Sequence, residues 1–172
     1  LVQRLKLEGE LLEKLAKAYH KVYQMRMEKD TTVDGKSKPK SSETDSSKLT
    51  WNELPEDEKN QNRNAVCDIP EKLAKIGFVM IPSRSNQPIF KFPEQDEDLM
   101  KLAKLEHKRW VQTKEAAGWS YASQTDKSKK LHQSMVPWDQ LSEKDKETDK
   151  ALVRAIPLIL AEAGYTMIKL HE

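Results

Sequence analysis

The chain has 172 residues, of which 37% are hydrophobic and 34% charged, with a net charge of +2 and a mean hydropathy of −0.82. That length suits one domain or two small ones, and the charge balance gives no electrostatic footprint for nucleic acid. No apolar run approaches the roughly 18 residues of a membrane helix, no signal segment opens the chain, and a single cysteine, Cys67, fits a reducing, cytoplasmic setting.

In chain order, the first predicted element is a helix whose apolar stripe runs through Leu12, Leu15, Ala16, Tyr19, Val22 and Tyr23. Val2 and Leu5 could extend it upstream, although Gly9 weakens that extension. Asp30–Lys48 is rich in Ser, Thr and Lys and reads as a mobile loop. Trp51 anchors the start of the next helical block, which opens with Pro55 and the acids Glu56, Asp57 and Glu58. Pro70 either kinks that block or splits it, and Cys67 within it reads as a small buried residue. Gly77 fits a helix C-cap, and Phe78–Ile81 reads as a short strand. Residues 83–97 form a linker in which Ile89–Phe92 could make an extra strand.

The second half runs through the same series. Leu99, Leu102, Ala103, Leu105 and Trp110 mark a helix, and Ala117–Pro137 carries Gly118-Trp119-Ser120-Tyr121 and Leu131-His132. That loop has aromatics to bury and is expected to be ordered. Ser142 is the expected N-cap of the next block, with Asp145 three residues on as a variant capping box. Pro157 interrupts the block, Gly164 caps it, and Tyr165–Leu170 reads as a strand able to pair with its counterpart in the first half.

The halves are an internal repeat. An offset of 87 aligns Leu12–Ile81 with Leu99–Ile168 without a gap, at about 23 identities in 70 positions. The expected fold class is therefore mainly α: a tandem pseudo-twofold repeat of helical hairpins with short β segments. The expected boundaries are residues 1–82 for the first repeat, 83–97 for the linker and 98–172 for the second repeat.

The second repeat also carries a spaced set of residues: His107-Lys108-Arg109-Trp110, Gly118-Trp119-Ser120-Tyr121, Asp126, Lys130, His132, Val136-Pro137-Trp138, Leu141, Lys146, Ile156-Pro157 and Gly164-Tyr165. This set resembles the ryanodine receptor repeat (RyR domain) family, across Leu99–Leu170. The first repeat matches at its ends, through His20, Tyr23, Trp51 to Leu54, Lys59, Arg63, Pro70 and Gly77. Ala122 and Gln133 depart from the family's usual glycine and proline, and the first repeat lacks the Gly-Trp-x-Tyr loop and its histidine. A site using those loop residues would be one-sided here. The resemblance implies a helical tandem module, either a peripheral one of a large channel or, as in a prokaryotic-type protein, a sensor beside other domains. The chain begins at Leu1 rather than Met, which fits a fragment of a longer protein. The resemblance also implies an adenine nucleotide held between the aromatic residues at Tyr23 and Trp110.

The residues themselves leave two readings open. Spacing of three on a helix puts His20 with Tyr23, and His107 with Trp110, on one face. Two such faces could sandwich a planar ring. Equally, the aromatics could be core and the histidines could satisfy loop carbonyls. Trp119 and Tyr121 could line a pocket mouth, bind a partner, or simply pack the loop. Arg109, Lys114, Lys130 and Lys146 could receive phosphate, or belong to a solvated charged face. His132 completes the candidate set.

No metal-ligand spacing appears among the four histidines and one cysteine, and no metal or cofactor is expected. No nucleophile elbow, P-loop or dinucleotide fingerprint appears, and Glu106 and Asp126 are carboxylates among many. The expected function is a non-catalytic regulatory module that binds a small anionic ligand between the two repeats, with an adenine nucleotide as the leading candidate. A protein-interaction module using Trp119, Tyr121 and Ile89-Phe90 is the alternative, with neighbouring protein domains as its partners. An enzyme comes third.

Overall fold

A computed structural model describes residues 9–33 and 48–170, with side chains from 9–25 and 48–170. The elements are α1 (Glu10–Val33), α2 (Glu56–Val66), α3 (Ile69–Lys75), β1 (Phe78–Pro82), α4 (Glu97–Ala116), β2 (Ser120–Tyr121), β3 (Leu131–His132), α5 (Glu143–Glu162) and β4 (Tyr165–Lys169). Short 3-10 turns begin at Trp51, Lys127 and Trp138. The protein is mainly α, as its periodicity predicts. Val2 and Leu5 fall outside the described residues, as does 34–47 of the expected loop; residues 30–33 continue α1 rather than opening that loop.

The chain divides into two compact units: one drawn from Leu1–Phe90 and Pro157–Glu172, the other Lys91–Ile156. These are not the sequence repeats. The end of the second repeat belongs to the first unit because β4 pairs with β1. The pairing is antiparallel, with Val79 opposite Ile168, Met80 opposite Met167 and Ile81 opposite Thr166. Met80 and Met167 are themselves related by the 87-residue offset. The expected strand pairing is therefore present. Ile89–Phe92 forms no strand, and Phe90 instead packs edge-on against Phe78 at 5.1 Å.

In the first unit, α1 buries Leu15, Ala16, Ala18 and Val22, while Val66, Ile69, Leu73, Met80, Leu160 and Met167 fill out the core. Arg63 ties α2 to α1: its guanidinium bonds Glu13, Glu56 and Asn60 and lies over Trp51. In the second unit, Leu99, Leu102, Ala103, Leu141 and Val153 are the buried apolar positions that recur. Many of the repeated identities are thus core positions, and fully burying a leucine or isoleucine contributes about 1.5–3 kcal/mol.

The repeats treat proline differently. In the first, the helix breaks at Cys67-Asp68 and restarts with Pro70 in the first turn of α3, where its missing N–H costs little. In the second, α5 runs unbroken through Pro157. The matching residues explain the difference: Asn64 and Asp68 stand where the second repeat has Ala151 and Ala155, which are better helix formers. The break also exposes Cys67, contrary to the buried position expected of it, with Sγ 3.3 Å from the Asn64 carbonyl.

Gly77 and Gly164 cap α3 and α5 at φ of 77° and 82°, a region that favours glycine. Ser142 caps α5 as expected, its hydroxyl accepting the Asp145 N–H at 3.2 Å. The reciprocal half of the box is diverted, since the Asp145 carboxylate accepts the Ser134 hydroxyl at 2.7 Å instead. Among the described residues, no helix is long and apolar enough to cross a membrane.

Candidate functional site

The second unit holds the densest cluster of chemistry. Asp96 starts α4, its carboxylate accepting the Asp98 N–H at 2.9 Å. On this helix His107, Trp110 and Lys114 recur at spacings of three and four, which puts them on one face. Gly118, at φ 87°, ends the helix, and the Trp119 N–H folds back to the Lys114 carbonyl at 2.9 Å. That turn sets the second indole beside the last turn of α4.

The loop that follows is ordered by backbone pairing. β2 and β3 run parallel, with Tyr121 opposite His132. Asp126 accepts the Ser128 hydroxyl at 2.6 Å and the Ser128 N–H at 3.0 Å, which fixes the turn between the strands. These short contacts carry His132 back to the two indoles. Its ring meets Trp110 edge-to-face at 4.8 Å and lies 6.2 Å from Trp119. His107 stacks on Trp110 at 6.0 Å, and Trp138 closes on His107 at 6.2 Å. The result is an alternating ladder of rings: Trp138, His107, Trp110, His132 and Trp119.

Lys114 sets the charge of the outer end of this ladder. Its Nζ lies 4.3 Å from the Trp119 ring centroid and 5.9 Å from that of Trp110, within cation–π range. It pairs with no carboxylate among the described residues. Burial first, and then the charge of Lys127, hold its pKa below the ordinary lysine value. His132 is also pushed down, by burial and then by Lys114 and Lys127, with Asp145 opposing. Its Nδ1 accepts the Ser134 N–H at 3.0 Å, so the ring proton sits on Nε2.

The other predicted residues of this unit are committed elsewhere. Arg109 grips Glu106 through Nε at 3.0 Å and a terminal nitrogen at 2.6 Å, a largely buried fork. Lys130 donates to the Ala117 carbonyl at 2.9 Å and lies over Gly118, securing the loop to the end of α4. His107 is buried, its Nε2 donating to the Val136 carbonyl at 2.7 Å and its Nδ1 3.5 Å from Asp149. Tyr121 is 57% exposed, and its side chain points to solvent.

The first unit repeats the scaffold without the cluster. His20 is buried and its Nε2 donates to the Leu49 carbonyl at 2.7 Å, the counterpart of the His107–Val136 bond. Gln24 donates to the same carbonyl at 2.8 Å. Trp51 lies 6.5 Å from His20, and Lys59 lies 5.9 Å from the Trp51 ring, matching Lys146 over Trp138 at 5.8 Å. Tyr23 is 37% exposed. Both histidines thus make the loop-carbonyl contact that the structural reading of the sequence anticipates.

Of the candidate residues, Trp110, Trp119 and His132 come together, with His107 behind Trp110. Arg109 and Lys130 serve internal contacts. Lys114 was legible only as one phosphate candidate among four, and Lys127 gave no signal in the sequence. The available signal for Lys114 was its spacing of four from Trp110, with Trp119 just past the helix end.

Residues 86–169 match the model of the RyR domain, the family that the second repeat resembles.

Proposed function

We propose that the chain is a non-catalytic, cytoplasmic regulatory module whose second repeat binds a small anionic ligand carrying a planar ring, with adenine nucleotides as the first class to test. The observation that carries this reading is Lys114: a partly buried ammonium, lying against two indoles, with no carboxylate partner and with Lys127 nearby. A cation held in that way favours an anion, and each stacked base contributes roughly 1–3 kcal/mol on an aromatic platform. Trp110 and Trp119 supply the rings, His132 a donor at Nε2, and Lys114 with Lys127 the charge. The recurrence of the His–carbonyl and Trp–Lys contacts supports reading the first unit as a related RyR-type repeat, with Tyr23 where the second has Trp110.

The test is a thermal-shift series with ATP, ADP and cyclic AMP on wild type and Lys114→Ala. A ligand at about 100 times its Kd adds about 2.7 kcal/mol, which raises the Tm of a chain this size by about 5–10 °C. The shift should fall to about half or less in Lys114→Ala at the same ligand concentration, and no shift with any nucleotide at millimolar concentration rejects the reading. One observation favours an interaction module instead: Tyr121 presents an exposed aromatic ring on an ordered strand. Under that reading Tyr121→Ala abolishes capture of a neighbouring domain and leaves every nucleotide shift unchanged.

A further inference from the structure

His132 occupies a position that a purely structural histidine does not need. Its Nδ1 is tied to the Ser134 N–H, so its proton is fixed on Nε2. That Nε2–H makes no hydrogen bond to any described residue. The ring stands edge-to-face on Trp110 and beside Trp119, at the end of the ladder where Lys114 lies. The charged groups that act on it are Lys114 from α4, Lys127 from the turn between β2 and β3, and Asp145 from α5. Two cations and one carboxylate leave the neighbourhood net positive, which disfavours a charged imidazole while the site is empty. A bound anion reverses that balance.

We propose that His132 is the proton-linked contact of this site: its Nε2–H donates to an acceptor on the anion, and Nδ1 takes a proton from solvent as the anion binds. The inference rests on the ligand reading above and adds a mechanism of regulation to it. One proton enters, no bond to the ligand forms covalently, and the imidazolium then faces the anion. Protonated Nδ1 can no longer accept the Ser134 N–H, so binding releases that amide. Ser134 is well placed to pass this on. Its hydroxyl holds Asp145 in the first turn of α5, and the Val136 carbonyl two residues later holds His107. The ligand state is thereby written into the segment Ser134–Val136, and acid strengthens binding.

Calorimetric titration of the full chain with cyclic AMP in two buffers of different ionisation enthalpy measures the protons taken up. Cyclic AMP is the informative probe because its phosphodiester keeps one charge across the pH range, whereas ATP and ADP titrate in it. Uptake approaching one proton is expected, with Kd falling up to about tenfold per unit decrease in pH between the free and bound pKa values of His132. His132→Asn retains an acceptor for the Ser134 N–H and loses the titrating ring, so it should bind more weakly with no proton uptake. Binding without uptake, or uptake unchanged in His132→Asn, overturns the inference and leaves the ligand reading standing. Absence of binding by cyclic AMP, ATP and ADP alike removes both.

Ring nitrogen NMR of the free protein supplies an independent arm. His132 should hold its proton on Nε2, with Nδ1 bare, to below the ordinary histidine midpoint of about 6.5. A proton on Nδ1 in the free protein at pH 7 contradicts the proposal whatever the ligand result.

Discussion

The two repeats share a frame and differ in what the frame displays. Each has a buried histidine donating to the carbonyl of a residue 29 positions on, at 2.7 Å in both cases. Each has a tryptophan beside that histidine and a lysine over the tryptophan. Only the second has Lys114, Trp119 and His132. The 87-residue offset places Met27, Thr32 and Asp45 at those positions in the first repeat. A histidine that recurs in both copies is therefore part of the frame. The residues that set the second copy apart are the ones with chemistry to spare.

The largest effects should come from the frame, and they should be matched. Leu15 and Leu102 are equivalent and fully buried. Replacing either with alanine should cost about 2–5 kcal/mol, read by chemical denaturation. A much smaller loss at one of them breaks the equivalence of the two repeats. Next come the histidines. His20→Ala and His107→Ala each orphan a loop carbonyl, at about 1–3 kcal/mol. His107→Ala should cost more, because Asp149 loses its neighbour as well.

Lys114→Ala should sharpen the contrast from the other side. It should leave unfolding nearly unchanged while weakening nucleotide binding by roughly ten- to a hundredfold, the cost of a hydrogen bond to a charged group. Titration calorimetry measures it, and Met27→Ala in the first repeat is the matched control, expected to bind as wild type. The smallest effect is in pH. His132 is depressed in the folded chain, so the unfolded chain binds more protons in acid. Its contribution is present above about pH 6.5 and is lost as pH falls through the depressed value. His132→Asn should flatten that part of the acid limb in a series of denaturation curves, and an unchanged limb contradicts the assignment.

Much of the fold was legible because patterning, caps and repetition agree. The apolar stripes through Leu15 and Leu102 located α1 and α4, and Gly77 and Gly164 marked where α3 and α5 stop. What happens at Pro70 and Pro157 was not legible from the prolines. It turned on Asp68 against Ala155, a difference in helix propensity that decides whether the chain breaks nearby. Cys67 came out exposed for the same reason. The site was half legible. Histidine–aromatic spacing pointed to Trp110 and equally to Tyr23, and the loop motif to Trp119, but Arg109 and Lys130 looked equal to Lys114 as cations. Only packing separates them: Arg109 closes on Glu106, Lys130 on the Ala117 carbonyl, and Lys114 on ring faces alone.

The four tryptophans offer the most direct measurement. Each indole N–H gives its own NMR signal, and Trp51 reports the first repeat while Trp110 and Trp119 report the cluster. Titration of the isotope-labelled chain with ATP should shift the Trp110 and Trp119 signals saturably and leave Trp51 in place. Movement of Trp51 to the same extent, or no movement of Trp110 and Trp119 at millimolar ATP, would contradict a nucleotide site on the second repeat.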